Sequence, residues 1–402
     1  MADTNNSNNS NNKKNKSNKR RSSPDESRNQ KKRKTEEEEI EKIRRIITPI
    51  IFSYPFDEPN PPLDENYDDY DGYNEYLENE DDWEYQNIDI EIETVQDLIK
   101  IGEMYDSKKK IRYNIDVRTL HKLIKPLTKL DTMIGMNKVK NTVVEQIIYY
   151  LQGIDDINED MLHSVIEGPP GVGKTEVAKI LASIYKKMGI LSSDKFKIVK
   201  RSDLIGGYLG QTAIKTQKIL DECNGGVLFI DEAYSLGNSE GRDSYSKECI
   251  DTITAYLSEN KRNFICIIAG YKKSLQQCFF NYNEGLERRF PYRFEIDTYN
   301  PEELRLIFFK IVREHNWDIL DEKSIPISFF ETNKDYFIFN GGDMEILFHK
   351  CKIAHSKRVF TLPYDVKKKL TIEDLDKGLQ LFLQNDEIKK RKETEKYLSY
   401  YS

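Results

Sequence analysis

The sequence of 402 residues predicts an α/β protein with a doubly wound parallel sheet, followed by a small all-helical domain. From Leu130 onward, short apolar segments alternate with helical patterns, as they do in strand–helix–strand units of a parallel sheet. After Pro301 only helical signals remain. Residues 1–34 consist of Asn, Ser, Lys and Arg with almost no apolar side chains, so a disordered extension is expected before the folded part.

Each element of this fold follows from a local pattern. The strands are expected at five short apolar segments: Ser164–Glu167, Lys197–Lys200, Val227–Ile230, Phe264–Ala269 and Arg293–Ile296. Amphipathic helices are expected ahead of the sheet at 92–101 and 117–124, and after it at Pro301–Asn316, Gly341–Lys357 and Thr371–Asn385. The first helix after the sheet has a typical beginning, with Asn300 as N-cap and Pro301 in the first helical position.

Between the first strand and its helix, the chain reads Gly168-Pro169-Pro170-Gly171-Val172-Gly173-Lys174-Thr175, which matches the phosphate-binding loop G-x-x-x-x-G-K-[ST]. The glycines let the backbone turn sharply and bring N–H groups close to a polyphosphate. Lys174 is predicted to reach the β- and γ-phosphates, and Thr175 to bind Mg²⁺. The dipole of the following helix adds to anion binding. The motif therefore predicts binding of ATP with Mg²⁺.

A second motif strengthens this prediction. The apolar segment Val227–Ile230 leads directly into Asp231 and Glu232. A buried parallel strand of this kind ends in the crevice where α/β sheets bind ligands. Asp231 is predicted to hold Mg²⁺, directly or through water, and Glu232 to activate the attacking water. Without the phosphate loop, the same two carboxylates would be interpreted as a solvated strand end.

Composition divides the chain into opposed blocks, so the net charge of −7 says little about the partners of the folded core. The predicted division is a disordered basic tail at 1–39, an acidic tyrosine-rich linker with short helices at 40–110, a nucleotide-binding domain at 111–300, a helical lid at 301–385 and a charged tail at 386–402. The acidic block is interpreted as a linker, with an acidic partner-binding segment as the alternative.

Two basic clusters in the N-terminal tail, at 19–20 and 31–34, are spaced like a bipartite nuclear-import signal. Such patches also bind nucleic acid, and a merely solubilising tail is an even alternative. The first residues lack the apolar core of a signal peptide, and no segment approaches the roughly 18 apolar residues of a membrane span. The five cysteines form no C-x-x-C pair. We therefore expect an intracellular protein, cytoplasmic or nuclear, that is neither secreted nor membrane-embedded.

From about Leu130 to Leu383 the sequence resembles the AAA+ ATPases, and within them the CbbX/CfxQ branch. The resemblance is carried by five segments besides the phosphate loop: Leu130–Met136 with Val139-Lys140, which resembles the entry motif that contacts adenine and includes Ile134 and Gly135; Arg201–Thr212; Asp231–Leu236; Ala269-Gly270-Tyr271; and Gly285–Phe290.

This resemblance implies a ring, usually a homo-hexamer, with ATP at the subunit boundaries. Arg289 matches the position that reaches the γ-phosphate of the neighbouring subunit, and Arg288 is the second candidate. Tyr208, which has glycines on both sides, matches the aromatic residue that grips a threaded polypeptide in the central pore. Residues 237–244 would form a second pore loop.

Two departures from the family pattern concern nucleotide sensing. The lid of the family carries G-N-x-R, but here the chain reads Gly341-Gly342-Asp343-Met344, so the arginine is absent at Met344. Lid closure on ATP is then expected to weaken, unless Arg358 or Lys352 substitutes. The polar sensor that follows the fourth strand in many AAA+ proteins is replaced by Ala269-Gly270-Tyr271, as in the CbbX-like branch.

The leading functional interpretation is an ATP-driven remodeller of a protein substrate. A DNA-directed AAA+ motor is the first alternative, which the basic tail favours slightly. Against it, the core shows no zinc finger or helix-turn-helix signature, and its pore loop is aromatic rather than basic. A nucleotide-gated scaffold with negligible turnover is the second alternative, suggested by the missing lid arginine.

Overall fold

The computed structural model describes residues 83–154, 160–208, 210–237, 243–261, 263–283, 285–363, 367–389 and 391. The predicted basic tail, much of the acidic linker, most of the second pore loop and most of the charged C-terminal tail lie outside these residues. At the start of that predicted tail, Ile388 is buried and Arg391 pairs with Asp343, so the folded part extends beyond its predicted end at 385.

Helices and two short strands precede the central sheet: β1 (Glu84–Gln86), α1 (Val95–Glu103), β2 (Ile111–Tyr113), α2 (Val117–Asp131) and α3 (Asn137–Leu151). Helix α1 begins with a capping box, in which the Thr94 hydroxyl accepts from the Asp97 N–H and the Asp97 carboxylate accepts from the Thr94 N–H. The parallel pair β1–β2 was not predicted from the sequence, because strands of three residues are too short to show alternation.

A five-stranded parallel sheet forms the centre of the fold: β3 (Ser164–Glu167), β4 (Phe196–Val199), β5 (Val227–Ile230), β6 (Ile265–Gly270) and β7 (Tyr292–Glu295). In space the strands lie in the order β4-β5-β6-β3-β7, and every neighbouring pair is parallel. Each strand begins within one residue of its predicted start. The predicted doubly wound α/β sheet is confirmed.

Helices cover both faces of this sheet. Successive residues of a strand point to opposite sides, so the apolar residues of each strand pack against helices on both faces. In β3, Ile166 packs into the core that includes α3 and the helix after the phosphate loop, whereas Val165 packs into a second core on the other face. The helices that follow the strands are α4 (Lys174–Lys187), α5 (Arg201–Leu204), α6 (Gln211–Glu222), α7 (Ser244–Glu259) and α8 (Lys272–Cys278).

After β7 the chain forms the helical lid: α9 (Pro301–Glu314), β8 (Asp318–Ile319), α10 (Ile327–Asn333), α11 (Gly341–Arg358), β9 (Lys369–Leu370) and α12 (Ile372–Phe382). Helix α9 begins as predicted, since the Asn300 side chain accepts from the Glu303 N–H at 2.8 Å. The short parallel pair β8–β9 is an addition that the sequence did not predict. Among the described residues, no helix has both the length and the apolar composition that a bilayer crossing requires.

Candidate nucleotide-binding site

The phosphate loop connects the carboxyl end of β3 to the N-terminus of α4. Gly171 and Gly173 have φ values of +71° and +88°, a conformation that side chains rarely adopt. Gly173 is the N-cap of α4, whose first residue is Lys174. The loop therefore places the free N–H groups of a helix N-terminus beside the end of the sheet, where they can bind an anion.

The Lys174 ammonium lies inside the loop. Its Nζ donates to the carbonyl oxygens of Gly168 and Pro169 at 3.0 and 2.8 Å, and it lies 5.4 Å from the centre of the Tyr271 ring. Burial lowers the pKa of Lys174, and the nearby charges of Asp231 and Glu232 oppose that shift. A phosphate oxygen could replace the two carbonyls as a stronger partner for this cation.

Asp231 and Glu232 follow β5 at the same edge of the sheet. The Asp231 N–H donates to the Val199 carbonyl at 3.2 Å, and the Glu232 N–H donates to the Asp231 carboxylate at 3.1 Å. Glu232 has a φ of +51°, which costs about 1–3 kcal/mol for a residue other than glycine. Both carboxylates line a cavity of about 480 Å³ together with Arg201 and Ser235. The turn thus exposes the Glu232 carboxylate instead of packing it.

Two tyrosines that sequence reasoning did not assign to the site lie between these parts. The rings of Tyr234 and Tyr271 stack with centroids 5.3 Å apart and planes at 25°. Burial raises the pKa of Tyr234, and the charge of Glu232 raises it further. A Cβ at Gly270 would lie 2.8 Å from the Tyr234 ring, so glycine is needed there. Both tyrosines follow the carboxyl ends of the paired strands β5 and β6, and this adjacency could have indicated their contact.

The lid contacts the phosphate loop directly. The Gly341 N–H donates to the Gly171 carbonyl at 3.0 Å, and the Asn340 side chain donates to the Pro170 carbonyl at 3.2 Å. The Tyr299 hydroxyl donates to the Val172 carbonyl at 2.9 Å, and burial raises the pKa of this hydroxyl to about 12. No local pattern indicates the roles of Tyr299 and Asn340, because their partners are main-chain atoms distant along the chain.

The structure corrects the expected substitutes for the lid arginine. Met344 is fully buried in the hydrophobic core, where its apolar side chain offers nothing to a phosphate. Arg358, at the far end of α11, is paired with Asp374 at 2.8 Å, and Lys352 lies over the Phe348 ring at 4.6 Å. Neither residue substitutes for the arginine. Helix α11 has 18 residues and begins at the phosphate loop, so Arg358 at its other end and Lys352 near its middle are both too far from the loop. A Cβ at Gly342 would point into open space beside the loop.

The expected adenine segment lies against both the loop and the lid. Gly135 has a φ of +66°, and a Cβ there would come within 2.5 Å of the Glu303 carboxylate of α9. The methyl groups of Met133 and Met136 lie close to Gly173. Lys140 ties the segment down by donating to the carbonyls of Asp131 and Met133. The segment that contains Ile134 and Gly135 therefore contacts both Gly173 of the phosphate loop and α9 of the lid, and the role of these two residues in adenine binding stays a prediction.

The two arginines occupy a short turn, Glu287–Arg289, before β7. Arg288 is exposed. Arg289 is half-buried: its Nε donates to the Ser258 hydroxyl at 2.8 Å and its Nη1 donates to the Gly285 carbonyl. Among the described residues, neither arginine is hydrogen-bonded to the chain's own phosphate loop or to Asp231 and Glu232.

Tyr208 lies in the connection between α5 and α6, after Gly206 and Gly207. Its side chain is 74% exposed, so it is not a packed residue at the end of a strand. A Cβ at Gly207 would have no neighbouring atom within 4 Å, whereas a Cβ at Gly206 would come close to Gln211 and Thr212. The aromatic ring is therefore presented to the outside of the domain from a firmly attached base.

Comparison with known proteins shows similarity to ATPases, which agrees with a nucleotide-binding site at the phosphate loop. Residues 164–298 match the model of the ATPase family associated with various cellular activities (AAA). A cfxQ-like protein of Acanthamoeba polyphaga mimivirus is 43% identical over 295 residues, which cover 73% of each chain. Stage V sporulation protein K of Bacillus subtilis is 32% identical over 50% of this chain and 64% of its own length. The ESX-1 secretion system protein EccA1 of Mycobacterium tuberculosis is 38% identical over 44% of this chain and 32% of its own length.

Among solved structures, the AAA domain of FIGL-1 in complex with ADP is similar with a TM-score of 0.42 and 18% identity, over 63% of this chain and 80% of that chain.

Proposed function

This chain belongs to the CfxQ-like AAA ATPases, and from that premise we propose that it couples ATP hydrolysis to the remodelling of a protein substrate in a ring of identical subunits. The observation that carries the proposal is the convergence of Lys174, Asp231 and Glu232 at one edge of the sheet, under the lid. The proposed working parts are a nucleotide-binding domain at 111–300 and a lid at 301–385.

The residues present suit ATP with Mg²⁺. The loop Gly168–Thr175 offers main-chain N–H groups and the Lys174 ammonium to the phosphates, and we assign Ile134 and Gly135, whose segment contacts Gly173, to the base. The hydroxyl of Thr175 and the carboxylate of Asp231 are oxygen donors of the kind that Mg²⁺ prefers. Bound there, the metal would neutralise phosphate charge. Glu232, exposed at the end of β5, would accept the proton of the attacking water.

Completion of the site by a neighbouring subunit is supported by the position of the arginines. Arg288 and Arg289 make no hydrogen bond to the chain's own nucleotide site in the described part of the chain. A transition state of phosphoryl transfer needs added positive charge, and an arginine supplied from another subunit is worth about 10³–10⁵ in rate. We assign that role to Arg289 first and to Arg288 second, in a ring of six subunits.

The proposed contact with substrate is Tyr208. An exposed aromatic ring that follows two glycines can press on an extended polypeptide without reading its sequence. The experiment that tests the proposal is ATP turnover by the full chain, alone, with an unfolded protein and with DNA. Stimulation by the protein is expected. Stimulation by DNA alone would favour the DNA-directed motor, and negligible turnover despite ATP binding would favour the scaffold.

The test variant is Tyr208→Ala, and its matched control is Tyr85→Ala. Tyr85 is exposed to a similar degree, 71%, but lies on β1. Tyr208→Ala should lose stimulation by the unfolded protein and cross-linking to it, whereas Tyr85→Ala should keep both. If Tyr208→Ala instead lowers the thermal midpoint and ATP affinity, Tyr208 supports the fold and the remodelling proposal loses its contact with substrate.

A further inference from the structure

A second set of charges lies next to the phosphate loop, between the carboxyl end of β3 and the beginning of β7. Its central member is Glu167, the residue directly before the phosphate loop, whose side chain is only 3% exposed. A buried carboxylate is costly unless it is paired, so its partner is held firmly. That partner is Arg293, whose Nη1 lies 2.6 Å from the Glu167 carboxylate.

Arg293 has a second carboxylate partner. Its Nη2 lies 2.6 Å from the carboxylate of Glu287, the first residue of the turn Glu287–Arg289. In the parallel register Arg293 lies opposite Val165, so it shares a face of the sheet with Glu167, two residues further along β3. The planar guanidinium also lies over the Phe280 ring at 5.1 Å, which limits its freedom to turn.

Each end of this bridge is one peptide away from a part of the proposed mechanism. Glu167 is joined to Gly168, whose carbonyl accepts from Lys174 at 3.0 Å. Glu287 begins the turn that carries Arg288 and Arg289. Arrival of the phosphates would draw Lys174 away from the Gly168 carbonyl, and a shift at Gly168 would reach the turn through one half-buried arginine, Arg293.

We propose that Arg293, with Glu167 and Glu287, is a positioning residue that sets the arginine turn according to the state of the same subunit's phosphate loop. The proposal rests on the proposed role of Arg289 at the neighbouring site. It implies that a subunit presents its arginine to the next subunit in a position that depends on its own nucleotide. Arginine suits this role because its planar fork holds the two carboxylates on separate nitrogen atoms in a fixed geometry, whereas a lysine acts as a point charge.

The variants that test it are Arg293→Gln and Glu287→Gln, each in the full chain. Glu287 is 49% exposed, so Glu287→Gln breaks the bridge without leaving a buried charge unpaired. The matched control is Lys272→Gln, which removes an exposed cation 3.9 Å from the same Glu167 carboxylate but does not touch Glu287. The measurements are ATP turnover and the Kd for ATP, with thermal unfolding as a check on the fold.

We expect both bridge variants to lose at least about tenfold in turnover, a part of the 10³–10⁵ that the arginine supplies, with the Kd for ATP changed less than about twofold. Lys272→Gln should stay within about twofold of wild type in both. Rings mixed from two kinds of variant subunit then distinguish a positioning role of Arg293 from a structural one. Lys174→Ala subunits, which keep their own bridge and arginine, should restore turnover to Arg293→Gln and to Glu287→Gln subunits, just as they restore it to Arg289→Ala subunits.

If Arg289→Ala is rescued but the bridge variants are not, the bridge acts within its own nucleotide site and the positioning role is overturned. Unchanged turnover in Glu287→Gln would overturn it as well. If Arg289→Ala itself is not rescued in rings shown to be mixed, the proposed role of Arg289 across the boundary fails, and the bridge proposal fails with it.

Discussion

Arg391 is the most informative position for testing how the lid is held on the phosphate loop. Its guanidinium is 8% exposed and donates to the Asp343 carboxylate, which is fully buried in the first turn of α11. Asp343 in turn accepts from the Phe339 N–H at 2.7 Å. Phe339 belongs to the segment that touches Gly171, because a Cβ at Gly171 would lie 2.0 Å from the Phe339 carbonyl. The ion pair therefore fixes the part of the lid nearest the phosphates.

The substitution Arg391→Gln should destabilise the protein by about 3 kcal/mol. Removing one partner of a buried ion pair costs about 3–5 kcal/mol, and the lower end applies because Asp343 keeps the Phe339 N–H and can take up a proton. At about 2–4 °C per kcal/mol for a folded unit of this size, the thermal midpoint should fall by about 6–12 °C. ATP affinity should fall too, since the lid segment loses its support.

The destabilisation caused by Arg391→Gln should change with pH in one direction. Burial raises the pKa of Asp343 above its ordinary value, and Arg391 opposes that shift. Without Arg391 the folded-state pKa rises further above the unfolded value, so the folded protein binds the proton more tightly. The destabilisation should thus be largest near neutral pH and shrink as the pH falls through the raised pKa.

The assay is thermal unfolding at about pH 7.5 and about pH 5. The double variant Asp343→Asn with Arg391→Gln should recover most of the loss, because it leaves no buried charge. Arg313→Gln, which breaks an exposed ion pair with Glu322, is the control for removing an arginine from the lid. A fall of less than about 2 °C at the higher pH, or a fall of equal size at both pH values, would refute the reasoning.

Three further predictions concern the nucleotide site. Lys174→Ala should abolish ATP binding by calorimetry, because Lys174 is the cation inside the phosphate loop; unchanged affinity would exclude the assignment of the loop. Glu232→Gln should bind ATP but hydrolyse it about 10²–10⁴-fold more slowly, and turnover within about threefold of wild type would exclude Glu232 as the base. Gly171→Ala should weaken ATP binding and lower the thermal midpoint, because its Cβ would meet the Phe339 carbonyl at 2.0 Å; Gly189→Ala, at a similar φ but with open space around it, should affect the midpoint alone.

Local patterns were sufficient for the sheet and for the parts of the site that lie in one continuous segment. The apolar run Val227–Ile230 is a strand because it is buried on both faces, and such a run is visible in the sequence. The glycines of the phosphate loop are likewise visible, since other residues adopt such positive φ values only rarely.

The parts that could not be predicted depend on long-range contacts. Nothing local to Arg391 indicates that it pairs with Asp343, and nothing local to Arg293 indicates that it bridges two carboxylates. The burial of Met344 is another feature that depends on long-range contacts. Its position in the motif predicts that the sensing arginine is missing, but its full burial and the open space at Gly342 are visible only in the structure.

The hydrogen bonds that Asn340, Gly341 and Tyr299 make to Pro170, Gly171 and Val172 have a consequence for phosphate binding. Each of these three carbonyls points toward the lid, and in a planar trans peptide the N–H of the next residue points the opposite way. The amides of Gly171, Val172 and Gly173 are therefore already turned away from these donors, which leaves them available to a phosphate. The cradle is pre-organised by main-chain geometry, so part of the ordering that phosphate binding requires is complete before the nucleotide arrives. A lid can make this contribution whatever side chain stands at its sensing position.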